Sequence, residues 1–205
     1  MISLFLKTKK FIPDEYHKTV QEIDFDHLYN MGFRLLLFDL DNTLAPYDMI
    51  NANKEILDFL DNIKKKGFEI IIVSNNHKER LKLMFGEYQI SYVIKAAKPF
   101  TKGYKKALKM ASKSYKKEEI ATIGDQLMTD VWSSKKMGYY SIVVNAIKRK
   151  TERWYTRFNR RIEAKMLKKI EKKYPDKYLE LNLKEKRWDY GIYLYGMWCR
   201  YSNSR

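Results

Sequence analysis

Hydrophobic positions along this chain alternate between two periods. Strongly apolar stretches occur at 34–40, where Leu35, Leu36, Leu37 and Phe38 form a continuous run, and at 68–73, 92–94, 120–123 and 140–144. Short runs that are apolar on successive residues, rather than on every second one, predict strands buried on both faces. Between them the apolar residues recur every three or four positions, as in Ile56, Leu57, Leu60 and Ile63, and predict helices over 54–66, 77–85, 101–112 and 130–136. Gly67 supplies the stop signal for the first of these. Strands that alternate with helices pair in parallel through right-handed crossovers. The expected fold is α/β, a Rossmann-like parallel sheet with helices on both faces.

Ligands of such sheets bind beyond the carboxyl ends of the strands. There the sequence holds Asp39 with Asp41, Ser74 with Asn75, Lys98, and Asp125 with Asp130. This set suits phosphoryl transfer. A carboxylate at the tip of a buried strand, Asp39, can attack phosphorus in line, and Asp41 can protonate the leaving oxygen and later activate water. Ser74 and Lys98 can hold the phosphoryl oxygens, with Asn75 beside them. Two acids next to a buried strand repel each other and call for a cation. Asp39, Asp125 and the main-chain carbonyl of Asp41 offer oxygen ligands to magnesium (Mg2+), with Asp130 behind them or as an alternate ligand. The bland account is helix capping, which explains Ser74, Asn75 or Asp130 taken singly as well as catalysis does. His17, His27 and His77 are too scattered for a metal-ligand spacing.

Composition narrows the setting. The 205 residues are 45% hydrophobic and 15% aromatic, enough to fold as one unit with appendages. Cys199 is the single cysteine and cannot close an internal disulfide, so a cytoplasmic location is expected. No apolar run reaches the roughly 18–20 residues of a membrane-spanning helix, and the first residues lack the pattern of an export signal. The net charge is +16, and between Lys148 and Arg205 there are 18 basic against 7 acidic residues. A basic tail of this kind attracts anionic lipid or nucleic acid, or merely solubilises. Nothing in the sequence names a protein partner.

The run Asp39-Leu40-Asp41-Asn42-Thr43-Leu44 resembles the first motif of the haloacid dehalogenase-like (HAD) phosphatase superfamily; Ser74, Lys98 and Gly124-Asp125 through Asp130 resemble the other three, in order. Four ordered motifs at strand ends are a specific signal where a lone Asp-x-Asp would be weak. The separations from Asp41 to Ser74 and from Ser74 to Lys98 leave room for one helix and strand each, so no cap domain is expected and the site should be open. Further strings, among them Val73-Ser74-Asn75-Asn76, Ala97-Lys98-Pro99 and Thr156-Arg157-Phe158-Asn159-Arg160, are similar to the YqeG-type branch, which includes phosphatidylglycerophosphatases. That resemblance implies a magnesium-dependent phosphomonoesterase whose substrate is phosphatidylglycerophosphate, an anionic phospholipid. It also implies a peripheral position on the inner face of the cell membrane. The alternative is a phosphatase for nucleic-acid ends or a soluble metabolite, with the basic tail on nucleic acid.

The resulting division is a phosphatase domain over 1–150 and a basic, aromatic-rich extension over 151–205. Within the extension, Tyr155, Phe158, Ile162, Met166 and Ile170 recur at helical spacing among Arg157, Arg160, Arg161, Lys165, Lys168 and Lys169. Such a helix either lies in a headgroup layer or packs its stripe on the core. Trp188, Tyr190, Tyr193, Tyr195, Trp198 and Tyr201 crowd the last segment. They read as interfacial anchors, a folded-back aromatic cluster or a self-association surface.

Overall fold

The computed structural model describes residues 7–186 apart from Glu87 and Arg153. Six strands, β1 (Glu15–His17), β2 (Leu35–Phe38), β3 (Glu69–Val73), β4 (Ser91–Val93), β5 (Ile120–Gly124) and β6 (Tyr140–Val144), form one sheet in the order β1-β6-β5-β2-β3-β4. Every neighbouring pair is parallel, with Phe38 opposite Ile72 on one side and Ile123 on the other. Chain order reverses direction at β2, between β3 and β5. That makes the carboxyl end of β2 the switch point, the place where such sheets open a ligand crevice.

The helices are α1 (Phe25–Asn30), α2 (Lys54–Lys65), α3 (Lys78–Phe85), α4 (Lys102–Met110), α5 (Trp132–Met137), α6 (Trp154–Lys173) and α7 (Pro175–Glu180). Successive strand residues point to opposite faces. Leu36 and Phe38 therefore join Ile70, Ile72, Leu60, Ile63, Leu81 and Met84 in one core, while Leu35 and Leu37 join Ile71, Val73, Tyr104 and Ala107 in another. Both faces of the sheet are covered, as the unbroken apolar runs require. In α2 the Asn53 side chain accepts from the Ile56 amide at 3.0 Å, capping the start, and Gly67 takes a φ of +96° just past the end.

Three features differ from the sequence expectation. First, β1 is a strand of only three half-buried residues at the sheet edge, without the apolar run that marks the others. Second, the helix expected from 130 begins earlier, as a π-helical turn over Leu127–Val131 that runs into α5. The π turn brings Asp130 back over Gly124, a geometry that recurs at functional sites.

Third, α6 divides the stripe expected along it between the core and the surface. Met166, Leu167 and Ile170 of α6 are fully buried with Phe11, Leu127, Val131 and Val143. Each such side chain contributes roughly 1.5–3 kcal/mol. The expected stripe on α6 is split by this packing. Its second half lies in the core, while Tyr155 and Phe158 are exposed together with Trp154. The inward residues of the first half are Thr156, Arg160 and Glu163. Arg160 thus moves from the expected basic outer face to the interior. The aromatic segment after 186 lies outside the described residues.

Candidate active site

Asp39 follows the last residue of β2 and is 8% exposed. The chain then turns sharply, with the Leu44 amide donating to the Leu40 carbonyl at 3.0 Å and the Asn42 amide to the Ala45 carbonyl at 2.7 Å. Asn42 occupies the left-handed region at φ +63°, which Asn tolerates better than most residues. Its side chain anchors the turn to the segment before α6, donating to Glu152 Oε1 at 3.1 Å and accepting from the Lys148 amide at 3.2 Å. Thr43 Oγ1 donates to Asp39 Oδ2 at 3.2 Å.

Lys98 lies between two carboxylates, with Nζ 2.5 Å from Asp39 Oδ1 and 2.6 Å from Asp130 Oδ1. Asp39, Asp125 and Asp130 each turn one oxygen into a common space, all three within 4.8 Å of one another. The structure therefore brings together four of the expected residues, Asp39, Lys98, Asp125 and Asp130. Burial drives the Asp39 carboxyl well above the ordinary carboxylate range; Lys98 opposes this, while Asp130, Asp125 and Asp41 push further upward.

Asp41, expected both as acid and base and as a metal contact through its carbonyl, turns its carboxylate away from this cluster. Oδ1 accepts from Arg80 Nε at 3.0 Å, and Oδ2 from Ser74 Oγ at 3.1 Å, with Asn76 Nδ2 within 3.4 Å of both oxygens. Ser74 follows the last residue of β3 and lies beside Asp41. It is fully buried, its hydroxyl is held between Asp41 and the Asn76 amide, and it lies beneath the cleft rather than on its surface. Holding a phosphoryl oxygen would require that hydroxyl to leave Asp41. Asn75 lines the cleft, but its side-chain amide brackets the Lys98 main chain, accepting from Lys98 N at 2.8 Å and donating to Lys98 O at 3.2 Å. In this arrangement it positions Lys98.

Several residues of the site escaped the sequence reading. Arg160 Nη1 donates to the Asp125 main-chain carbonyl at 3.0 Å, and Nη2 pairs with Asp125 Oδ2 and with Glu152 Oε1 at 2.7 Å. Glu163, at i+3 from Arg160, completes its surroundings at 3.3 Å, and burial raises the Glu163 carboxyl despite Arg160 and Lys186. The ammonium of Lys186, from the far end of the described chain, reaches the Asp125 carbonyl at 2.8 Å. The one signal for this network was the opposite charges of Arg160 and Glu163 on the same face as Leu167 and Ile170.

The cleft above these residues has a volume of about 960 Å³ and is lined by Asp39, Asp41, Lys98 and Gln126 at its polar end. Tyr47, Met128, Trp132, Tyr155, Phe158 and Ile162 provide apolar and aromatic lining. Between β2 and β3, and between β3 and β4, the described chain has one helix each and no inserted cap.

Residues 1–147 match the family model described as mitochondrial PGP phosphatase. The chain is also 34% identical, over 165 residues that make up 80% of its length and 94% of the relative's, to the probable phosphatase YqeG of Bacillus subtilis strain 168. The protein belongs to this family of HAD-superfamily phosphatases. Among solved structures it is similar to a predicted HAD-like family hydrolase of Porphyromonas gingivalis, with a TM-score of 0.45, 12% identity, and 64% of this chain and 98% of that one covered. An uncharacterized protein of Listeria monocytogenes serotype 4b gives a TM-score of 0.45, 16% identity, and coverage of 57% and 84%.

The carboxylate cluster fits a divalent cation on two counts. Asp125 Oδ1 is buried without a hydrogen-bond partner although Oδ2 is held by Arg160, so one oxygen is left directed at the cluster. Around it, the buried carboxylates Asp39, Asp41, Asp125, Asp130, Glu152 and Glu163 outnumber by two the buried cations Lys98, Arg160 and Lys186 taken together with the largely buried Arg80 on Asp41. An uncompensated buried charge is costly, and a divalent ion offsets this excess.

Proposed function

We propose that this phosphatase is a magnesium-dependent phosphomonoesterase that works through an aspartyl-phosphate on Asp39 and dephosphorylates phosphatidylglycerophosphate to phosphatidylglycerol. The observation that carries the mechanism is Asp39 itself, at the switch point of the sheet, facing an open cleft with Lys98 2.5 Å from one carboxylate oxygen. In this reading Asp39 attacks phosphorus in line, and Asp41 protonates the leaving oxygen and then draws a proton from the water that cleaves the aspartyl ester. Arg80, Ser74 and Asn76 hold the Asp41 carboxylate in one orientation for both steps. Lys98 steadies the charge that spreads over the phosphoryl oxygens. Asp39, Asp125 and Asp130 would hold magnesium, which would supply the positive charge that lets an anionic ester approach a carboxylate.

The lipid substrate rests on the family, whose description carries the PGP phosphatase activity. It agrees with an open site whose surroundings expose large apolar groups: Trp154 is 80% exposed, Phe100 69% and Phe158 56%. Aromatic rings of this kind sit well at a headgroup boundary, and the nearby Arg157, Arg161 and Lys165 suit an anionic surface. No helix of the described residues is long and apolar enough to cross a membrane, so the contact would be peripheral.

The test is phosphate release from phosphatidylglycerophosphate in mixed micelles with and without magnesium, alongside nucleotides, sugar phosphates and 3′-phosphorylated RNA. A lipid preference that disappears in Asp39→Asn is the expected result. Activity confined to soluble or RNA substrates would sink the lipid assignment, and release that survives Asp39→Asn would sink the nucleophile.

A further inference from the structure

The cleft extends well beyond its acidic floor. Its volume of about 960 Å³ lies at the upper end of the roughly 300–1,000 Å³ that whole small-molecule ligands occupy, and one phosphate monoester needs far less. Part of its wall is the outward face of α6 between residues 158 and 165, where Phe158, Arg161, Ile162 and Lys165 follow the three- and four-residue spacing of a single helical face. The cations of the floor are paired, Lys98 with Asp39 and Asp130, and Arg80 with Asp41. Those of the wall are not. Arg161 and Lys165 are exposed to the cleft, and no acidic side chain among the described residues pairs with either. Two cations four residues apart on a helix repel each other unless an anion lies between them.

Resting on the reading that Asp39 attacks a phosphate monoester, we propose that Arg161 and Lys165 form a second anion subsite. It takes the phosphodiester of a substrate that carries both a terminal monoester and an internal diester. Guanidinium and ammonium groups are the usual donors to phosphate oxygens. Tyr155, Phe158 and Ile162 of the same wall lie against the carbon groups attached to that diester. The diester can belong to a lipid or to a water-soluble compound, since the two cations meet only its oxygens. The subsite therefore selects for the second phosphate and not for the acyl chains.

Equilibrium binding separates these elements. Full-length protein carrying Asp39→Asn, with magnesium, is titrated with glycerophosphoglycerophosphate, which has both phosphates and no acyl chains, and with glycerol 3-phosphate, which has one. The two-phosphate compound is expected to bind about tenfold tighter or more. Adding Arg161→Ala and Lys165→Ala should erase that ratio, with circular dichroism confirming an unchanged fold. An unchanged ratio overturns the subsite. So does a pattern in which the double variant lowers only the binding of anionic vesicles, which would assign both charges to membrane attraction. Hydrolysis of phosphatidylglycerophosphate by the wild-type protein is scored separately. Its absence alongside the binding ratio sinks the lipid reading and keeps the subsite, whereas its presence without the ratio does the reverse.

Discussion

Arg160 of α6 grips Asp125 twice, by its carboxylate and by its main-chain carbonyl at 3.0 Å, and so fixes which of the two carboxylate oxygens faces the cluster. Partners of metal ligands are often worth 10–100-fold in metal affinity. Arg160→Lys keeps the charge but loses the fork that reaches both atoms, and should raise the magnesium dissociation constant roughly tenfold or more. Arg160→Ala removes the guanidinium that pairs with buried Asp125, Glu152 and Glu163 and should cost about 3–5 kcal/mol of stability. Calorimetric titration with magnesium checks the first outcome, and denaturant unfolding the second. Equal magnesium affinity in wild type and Arg160→Lys would remove the positioning role.

Magnesium itself should act on the fold. A ligand that binds only the native state stabilises it by about 2.7 kcal/mol when present at a hundred times its dissociation constant. The carboxylates of Asp39, Asp125 and Asp130 lie within 4.8 Å of one another only in the folded protein. Adding magnesium to metal-free protein is expected to raise the melting temperature by several degrees, and chelation to reverse it. Asp125→Asn should cancel the rise. A wild-type melting temperature indifferent to magnesium would mean that the cluster does not hold the ion.

Gly124 ends β5 directly beneath Asp130. A Cβ on residue 124 would stand 2.4 Å from Asp130 Cγ and 2.5 Å from its Cβ, closer than real side chains approach. Gly124→Ala must therefore push Asp130 out of the cluster or displace the π-helical turn. Overpacking of this kind costs roughly 1–3 kcal/mol. The activity loss should exceed what that destabilisation explains, because Asp130 also loses Lys98, 2.6 Å away. Phosphate release at a temperature where the variant remains folded makes the comparison.

The elements that announced themselves were those whose local pattern and tertiary role coincide. The run from Leu35 to Phe38 is buried on both faces, and the stripe from Ile56 to Ile63 faces the sheet between an Asn53 cap and Gly67. The acids Asp39, Asp41, Asp125 and Asp130 were legible for the same reason, since each follows or closely trails a strand end. Arg160, Glu152, Glu163 and Lys186 were not. Charged residues read as surface, and only a network spanning Asn42 to Lys186 makes their burial affordable. Local sequence carries no record of partners 35 to 110 positions away. Edge strand β1 failed for a related reason. Three residues without an apolar run become a strand only because β6 is there to pair with them.

That edge strand also carries a pH dependence whose sign can be worked out. Glu15 accepts from Tyr140 Oη at 2.8 Å, across to β6, and pairs with His17 at 2.8 Å. Burial alone would raise its carboxyl, but the hydrogen bonds from His17 and Tyr140 more than offset this and hold it below the ordinary glutamate range. A depressed folded value means that the unfolded chain takes up the proton first. The contribution of Glu15 to stability is therefore complete above the ordinary glutamate range and is lost as the pH falls through the depressed folded value. Glu15→Gln keeps the shape and removes the titration. On acidification from neutral pH, the gap in unfolding free energy between wild type and variant should narrow through the glutamate range and below. His17 pairs with the same carboxyl, so comparing His17→Gln with the combined Glu15→Gln, His17→Gln protein isolates the Glu15 titration. A gap that stays constant from neutral pH to well below the glutamate range would show that the β1 edge is held by its backbone pairing alone.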